Sequence, residues 1–228
     1  RSESVGNPYA SAIHFSALTR TGGVQDVFYV WDPDLTNAQG SAYGLGGYQT
    51  IVRDGTGYTV IPGGGSYADG NVTIRSGQAF LVRATGSSGQ LIFSETCKTV
   101  FSESSARAVP AGSAIKINYN VLVSGQPVLL DGTIVRFDSA YSNVVDEMDI
   151  MKVGNSTSEN VGLMRNGKRL AMERRGFPST SDTLYVNLGS LKRTNYRFSL
   201  DLFQMQGVSA SLIDKHTGAI LNLNRSEE

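Results

Sequence analysis

The sequence predicts an all-β protein built as two antiparallel β-sandwiches in tandem, Ig-like or jelly-roll-like, and three observations carry that prediction. Short runs of β-branched and aromatic residues recur along all 228 residues, each bounded by Gly, Pro, Asn or Asp. Glycines number 26 while charged residues make up only 18%, a balance that suits tight turns better than long, charge-decorated helices. Helical spacing of apolar residues is confined to residues 143–152, where Val144, Met148 and Met151 share a face over one turn.

In the first half the strand-like runs are VFYVW at 27–31, YQTIV at 48–52, AFLV at 79–82 and QLIF at 90–93. Between them, the stretch from Gly40 to Gly47 and the run Pro62-Gly63-Gly64-Gly65 cannot hold a helix and read as loops. Small and polar residues with Pro110 among them then make 102–113 a linker. The expected organisation is a first sandwich over 1–101 and a second over 114–228.

The second half opens on AIKINYNVLV at 114–123. Alternation there puts Ile115, Ile117 and Tyr119 on one face and Lys116, Asn118 and Asn120 on the other, the pattern of a half-buried strand. Further strands are expected at 131–137, 160–164, 170–173, 183–188 and 196–202. Asn166-Gly167 and Thr217-Gly218 supply hairpin turns, and 210–214 with 219–223 reads as a closing hairpin.

Composition excludes several functions. Lys and Arg total 20 against 20 Asp and Glu, so no positive field exists to hold nucleic acid or an anionic membrane. No apolar run is long enough to span a bilayer. Cys97 is the single cysteine, so the chain contains no intrachain disulfide; it reads as a small buried hydrophobe. Hydrophobic residues at 40% are enough for a real core. The opening Arg1 and the ending Arg225-Ser226-Glu227-Glu228 are those expected of a processed or excised piece.

Chemistry has few residues to use. His14 and His216 are the two histidines and no Gly-x-Ser-x-Gly elbow is present, so no catalytic residue is assigned. The glycine-rich loops lack the Gly-Lys-Ser/Thr ending of a phosphate loop, and one cysteine with two histidines makes no structural zinc site; no cofactor is expected. Asp146, Glu147 and Asp149, or Asp32 and Asp34, could offer oxygens to calcium, although solvated turn carboxylates are the simpler reading. Tyr43, Tyr48, Tyr58 and Tyr67 lie in glycine-rich sequence near Asn37, Gln39 and Asp69, where exposed rings could stack on sugars.

A resemblance adds to this reading. VGNPYASAI at 5–13 resembles the GNPYPSAID opening of β-sandwich modules near the C-terminal end of large Bacteroidetes cell-surface and secreted proteins, exported by the type IX secretion system. The same pattern continues in FYVWDP at 28–33, GGYQT at 46–50, IRSGQAFLV at 74–82 and LIFSETCK at 91–98. The second half is similar in order, through DGTIVRF at 131–137, DEMD at 146–149 with Lys152, RLAM at 169–172, YRFSL at 196–200 and LIDKHTG at 212–218. The chain departs from the family at His14, where Asp is usual, and in stopping at Glu228 where family members run on into another strand.

The resemblance implies an extracellular, cell-surface structural or display module without catalytic residues. Its partners would be neighbouring domains of the parent protein or copies of itself, and the alternative is a glycan- or host-binding adhesin module. O-glycans are implied at the Asp-Ser/Thr-apolar sites of Ser139 and Thr183. With the family's next strand lacking, an open sheet edge is expected beside the closing hairpin, at Ala210, Leu212, Ile220 and Leu223, as a template for strand complementation or filament assembly.

Overall fold

The computed structural model describes residues 2–35, 46–67, 70–100, 112–156, 159–179, 181–192 and 195–223. In the first half the strands are β1 Ser2–Gly6, β2 Ala12–His14, β3 Thr19–Thr21, β4 Val24–Asp32, β5 Gly47–Asp54, β6 Gly57–Ile61, β7 Thr73–Ile74, β8 Ala79–Ala84, β9 Gln90–Ile92 and β10 Lys98–Thr99. The second half adds β11 Ser113–Val123, β12 Gln126–Phe137, β13 Ile150–Met151, β14 Asn160–Arg165, β15 Lys168–Arg175, β16 Val186–Gly189, β17 Tyr196–Phe203, β18 Ser211–Ile213 and β19 Ile220–Asn222. Two 3-10 turns, at Phe15–Ala17 and Glu95–Cys97, are the helical elements of the described residues. The chain is all-β.

Two sheets cover the first core. A five-stranded sheet runs β1-β8-β4-β5-β6, and a three-stranded sheet runs β10-β2-β7. Between them Ile13, Phe28, Ile51, Val60, Ile74 and Phe80 pack with Cys97 and are buried. Phe80 stands edge-on to Phe15 at 6.1 Å and to Phe28 at 6.2 Å, the geometry that ring quadrupoles favour.

The second half forms a seven-stranded sheet with the order β16-β14-β15-β12-β11-β17, β13 pairing with β15 as well. Its ladders are antiparallel except β12 with β15, which run parallel over residues 134–137 and 172–175. Asn166 and Gly167 both adopt positive φ, 48° and 73°, in the two-residue turn joining β14 to β15. That backbone matches strand twist, and it is why Asn-Gly stands there. The sheet curls, so that Val186 and Leu188 of β16 share a core with Tyr119, Val121 and Val161 and with Tyr196 and Phe198 of β17.

A further core joins the halves. Val27, Tyr29, Val52 and Ile61 from the first half pack on Ala114, Ile134, Ile150, Ala171 and Met172 from the second. Each fully buried Val, Ile or Met side chain in it contributes roughly 1.5–3 kcal/mol, so this layer outweighs any single polar contact across it. Polar ties run alongside. Arg136 pairs with Asp54, both nearly inaccessible to water; Tyr29 donates to the Met151 carbonyl at 3.1 Å; Arg174 donates to the Arg53 carbonyl at 2.7 Å. Gly132 is required at the closest approach, because a Cβ there would stand 2.9 Å from the Cβ of Pro62 and 3.0 Å from Oδ1 of Asn118.

The shared layer corrects the expectation for residues 114–123. Their polar row is not solvated: Lys116 and Asn120 are buried along with Ile117 and Tyr119. Lys116, in that row, runs under Gly63 of the first half. Both faces of β11 are covered where alternation alone suggested one. Residues 143–152 form turns and the short β13 rather than a helical turn, with Val144 and Met148 exposed, because Asp146 and Asp149 bond the local backbone N–H groups. The expected linker at 102–113 falls almost entirely outside the described residues.

Replacing Arg136 with Ala leaves Asp54 buried without its counter-charge and is expected to cost about 3–5 kcal/mol in urea unfolding, most of it recovered in Arg136→Met/Asp54→Leu. Because the halves share a core, Trp31 fluorescence and far-ultraviolet circular dichroism should report one coincident transition. Two separated transitions would contradict the shared layer.

Candidate interaction surface

The sequence motifs of the first half turn out to be fasteners. Asn7, within GNPY, is buried and donates through Nδ2 to the carbonyls of Ser11 at 2.9 Å, Ile74 at 3.3 Å and Arg75 at 3.0 Å. Its Oδ1 accepts from the Tyr9 amide at 3.0 Å. Asp32, at the end of YVWD, accepts from the amides of Asp34 at 3.0 Å and Ser66 at 2.6 Å and from the Ser66 hydroxyl at 2.7 Å, pinning the loop after β6. Gln49, fully buried on β5, donates to the carbonyls of Pro62 at 3.0 Å and Gly64, while its Oε1 accepts from the Tyr67 amide at 3.3 Å. A buried amide satisfied on both ends holds its loop rather than a ligand.

The second half repeats the device. Asp131 and Lys152, brought together from separate motifs, form an ion pair withdrawn from water. Asp131 also accepts from the amides of Gly132 and Val161, each at 2.8 Å. Burial holds its carboxyl above the usual 3.8, and Lys152 opposes that shift. Asp149 accepts from the amides of Arg174 at 2.8 Å and Asp146 at 3.0 Å. Asp146 accepts from the Met148 amide at 2.8 Å. Of the calcium candidates Asp146, Glu147 and Asp149, the two aspartates thus hold the turn through its backbone amides, while Glu147 is exposed beside them. Among the described residues no three His, Cys, Asp or Glu side chains gather as a metal site.

Aromatic exposure corrects the sugar-stacking set. Tyr58 and Tyr67 are each 6% exposed. Tyr58 donates to Asp26 at 2.6 Å and Tyr67 to Gln78 Oε1 at 2.9 Å, so both rings belong to the first core. Tyr43, with Asn37, Gln39 and Asp69, lies outside the described residues. Tyr48 remains, edge-on to Trp31 at 5.2 Å, and Trp31 is 37% exposed. Ring exposure depends on which layer covers a loop, and nothing in the local sequence around Tyr58 or Tyr67 reports that.

Other predicted residues are scattered. Ser139 lies exposed in the turn after β12, and Thr183 is exposed before β16. The neighbour of Thr183, Asp182, pairs with Arg175 at 2.7 Å. Arg175 and Arg165 both reach the buried Glu173, Arg175 at 3.3 Å. His14 Nδ1 stands 3.0 Å from the Ser16 hydroxyl, while His216 sits in the last turn with its amide donating to Asp214. A cleft of about 360 Å³ opens where the halves meet, lined by Gln25, Asp26, Arg53, Glu147, Met148 and Arg174 among others.

What distinguishes one region is incomplete cover. From Gly176 onward no described residue is buried, although β16 and β17 belong to the large sheet. Ile220 is 70% exposed, and Phe177, Tyr185, Leu191, Ile213 and Leu221 are also exposed. β18 and β19 pair only with each other among the described residues, and the Leu223 amide continues their ladder to the Ala210 carbonyl at 2.9 Å. Leu212 is half-buried within this hairpin. β16 and β17 end the seven-stranded sheet, each with one strand neighbour. Sequence reasoning placed the open edge at the closing hairpin and did not single out β17. The signal available was its length and alternation, which gave a strand but not its position in the sheet.

No family model, curated protein or solved structure matches this chain.

Burial raises the carboxyls of Glu173, Asp131 and Asp149 above their ordinary values of 4.5, 3.8 and 3.8, with nearby cations and amides opposing the shift. The folded chain therefore binds these protons more readily than the unfolded one. Their contribution to stability is full below the ordinary values and is lost as pH rises through the raised ones. Glu173→Gln removes one such group, so the fall in its melting temperature from pH 4.5 towards neutrality is expected to be shallower than in the unsubstituted chain. An identical slope would show that Glu173 takes no part.

Proposed function

We propose that this chain is a non-enzymatic structural or display module of a bacterial cell-surface or secreted protein, made of two β-sandwiches that share a middle layer. The observation that carries the reading is the uncovered sheet margin from residue 176 onward, set against polar side chains elsewhere that are spent on holding loops. A margin of that kind is completed by a strand from a neighbouring domain or copy. The resemblance to Bacteroidetes modules exported by the type IX system supports the extracellular placement, with exposed Ser139 and Thr183 available for O-glycans. No catalytic or cofactor-holding residue is part of this reading.

Antibody raised against the chain is expected to label intact cells of the producing bacterium, and native material to exceed the polypeptide mass by whole sugar residues. Recovery of the protein solely from the cytoplasm, at polypeptide mass, would overturn the reading. The adhesin alternative rests on the Trp31–Tyr48 pair. It expects binding on a glycan array that Trp31→Ala abolishes, since an aromatic stacking on a ligand contributes about 1–3 kcal/mol by analogy with base stacking.

A further inference from the structure

The free margin of β17 has a sequence that is complementary to itself. Tyr196–Phe203 reads Tyr-Arg-Phe-Ser-Leu-Asp-Leu-Phe, and β17 is bonded to β11 on one side with an unbroken register. Among the described residues no strand pairs with its other side. Backbone direction is fixed by two contacts. The Leu122 amide donates to the Asn195 carbonyl at 3.3 Å, and Asn120 Nδ2 donates to the Arg197 carbonyl at 3.2 Å. Odd-numbered residues of this strand therefore turn their backbone groups towards β11. By alternation, Phe198, Leu200 and Leu202 turn theirs outward.

Resting on the display reading above, we propose that β17 pairs with β17 of a second copy, antiparallel, about a twofold axis through Ser199. In that register Phe198 faces Leu200 of the other copy, and the outward backbone groups of each apolar pair exchange two bonds. Arg197 faces Asp201, and Asp201 faces Arg197, in the closer, non-hydrogen-bonded positions where side chains meet best. Among the described residues neither Arg197 nor Asp201 forms an ion pair. The small Ser199 meets its own copy at the axis, where a large side chain would collide. Phe198, Leu200 and Leu202 already lean on the interior of the curled sheet as half-buried residues. A second strand alongside covers their exposed flank, and the interface is isologous, as a closed dimer requires.

The test is sedimentation of the 228-residue chain over a rising concentration series, alongside three variants. The unsubstituted chain is expected to dimerise. Arg197→Asp sets like charges opposite each other twice and should weaken association about tenfold. Asp201→Arg should do the same, and the double variant R197D/D201R should restore the dimer by exchanging the partners. An equimolar mixture of the two single variants should form a heterodimer. Lys116 stands opposite Asp201 on β11, so Arg197→Asp is the cleaner single change; circular dichroism checks that each variant folds, and Arg197→Asp with the unsubstituted chain decides the matter should Asp201→Arg fail to fold. A monomer at every concentration overturns the proposal and points to a strand of the parent chain as the occupant. A dimer indifferent to Arg197→Asp overturns it too, by placing the contact elsewhere. Either failure leaves cell-surface labelling, and with it the display reading, unaffected.

Discussion

Ile134 and Val135 are neighbours on β12, and they point into different cores. Ile134 packs with Tyr29 and Val52 of the first half, Val135 with Leu163 and Leu170 of the second. The same division holds on β11, between Ala114 and Ile115. One pair of long strands is thus the floor of one core and the wall of the next. Everything built above it inherits its position: the five-stranded sheet through the Val27–Ile61 layer, the curled sheet through the β11–β17 and β12–β15 ladders.

A strand covered on both faces must dispose of its polar residues, and the chain does so by pairing them across the layer or along it. Arg136 meets Asp54, Lys152 meets Asp131, and Glu173 collects Arg165 and Arg175. Such pairs add little net stability over apolar replacements, because removing two charges from water costs several kcal/mol per ion. Their physical effect is selectivity. A register slip by one residue would leave a charge unpaired in a dry layer, which costs far more than the pair contributes.

Much of the strand content was legible. The runs at 27–31, 48–52, 79–82 and 131–137 lie inside β4, β5, β8 and β12, because β-branched and aromatic residues bounded by turn residues report local geometry directly. Asn166-Gly167 gave its hairpin for the same reason. What the sequence could not report was cover. Lys116 and Asn120 look like a solvated row, yet both are buried, Lys116 beneath Gly63 of the other half; Tyr58 and Tyr67 look like loop aromatics, yet both belong to the core between the first two sheets. Ser2–Gly6 and Gly57–Ile61 were not legible as strands, the first because Ser2, Glu3 and Ser4 carry no β-branched or aromatic signal although their backbone pairs with β8. The site followed the same rule: chain chemistry named the carboxylates and tyrosines, while the uncovered margin at β17 emerges only from strand order.

The hydrogen bond from Tyr29 to the Met151 carbonyl spans 122 positions along the chain. Its neighbours in the shared layer are remote along the chain as well, since Val27, Val52 and Ile61 wait for partners between Ala114 and Met172. During synthesis, or during passage through any narrow exporter, the leading half therefore emerges with one complete core and one bare apolar wall. Until the trailing strands arrive it is an adhesive intermediate, prone to meet another chain's wall before its own. The layer that unites the finished molecule makes its birth order hazardous, and a cell producing it has reason to shield that wall until the trailing half has been made.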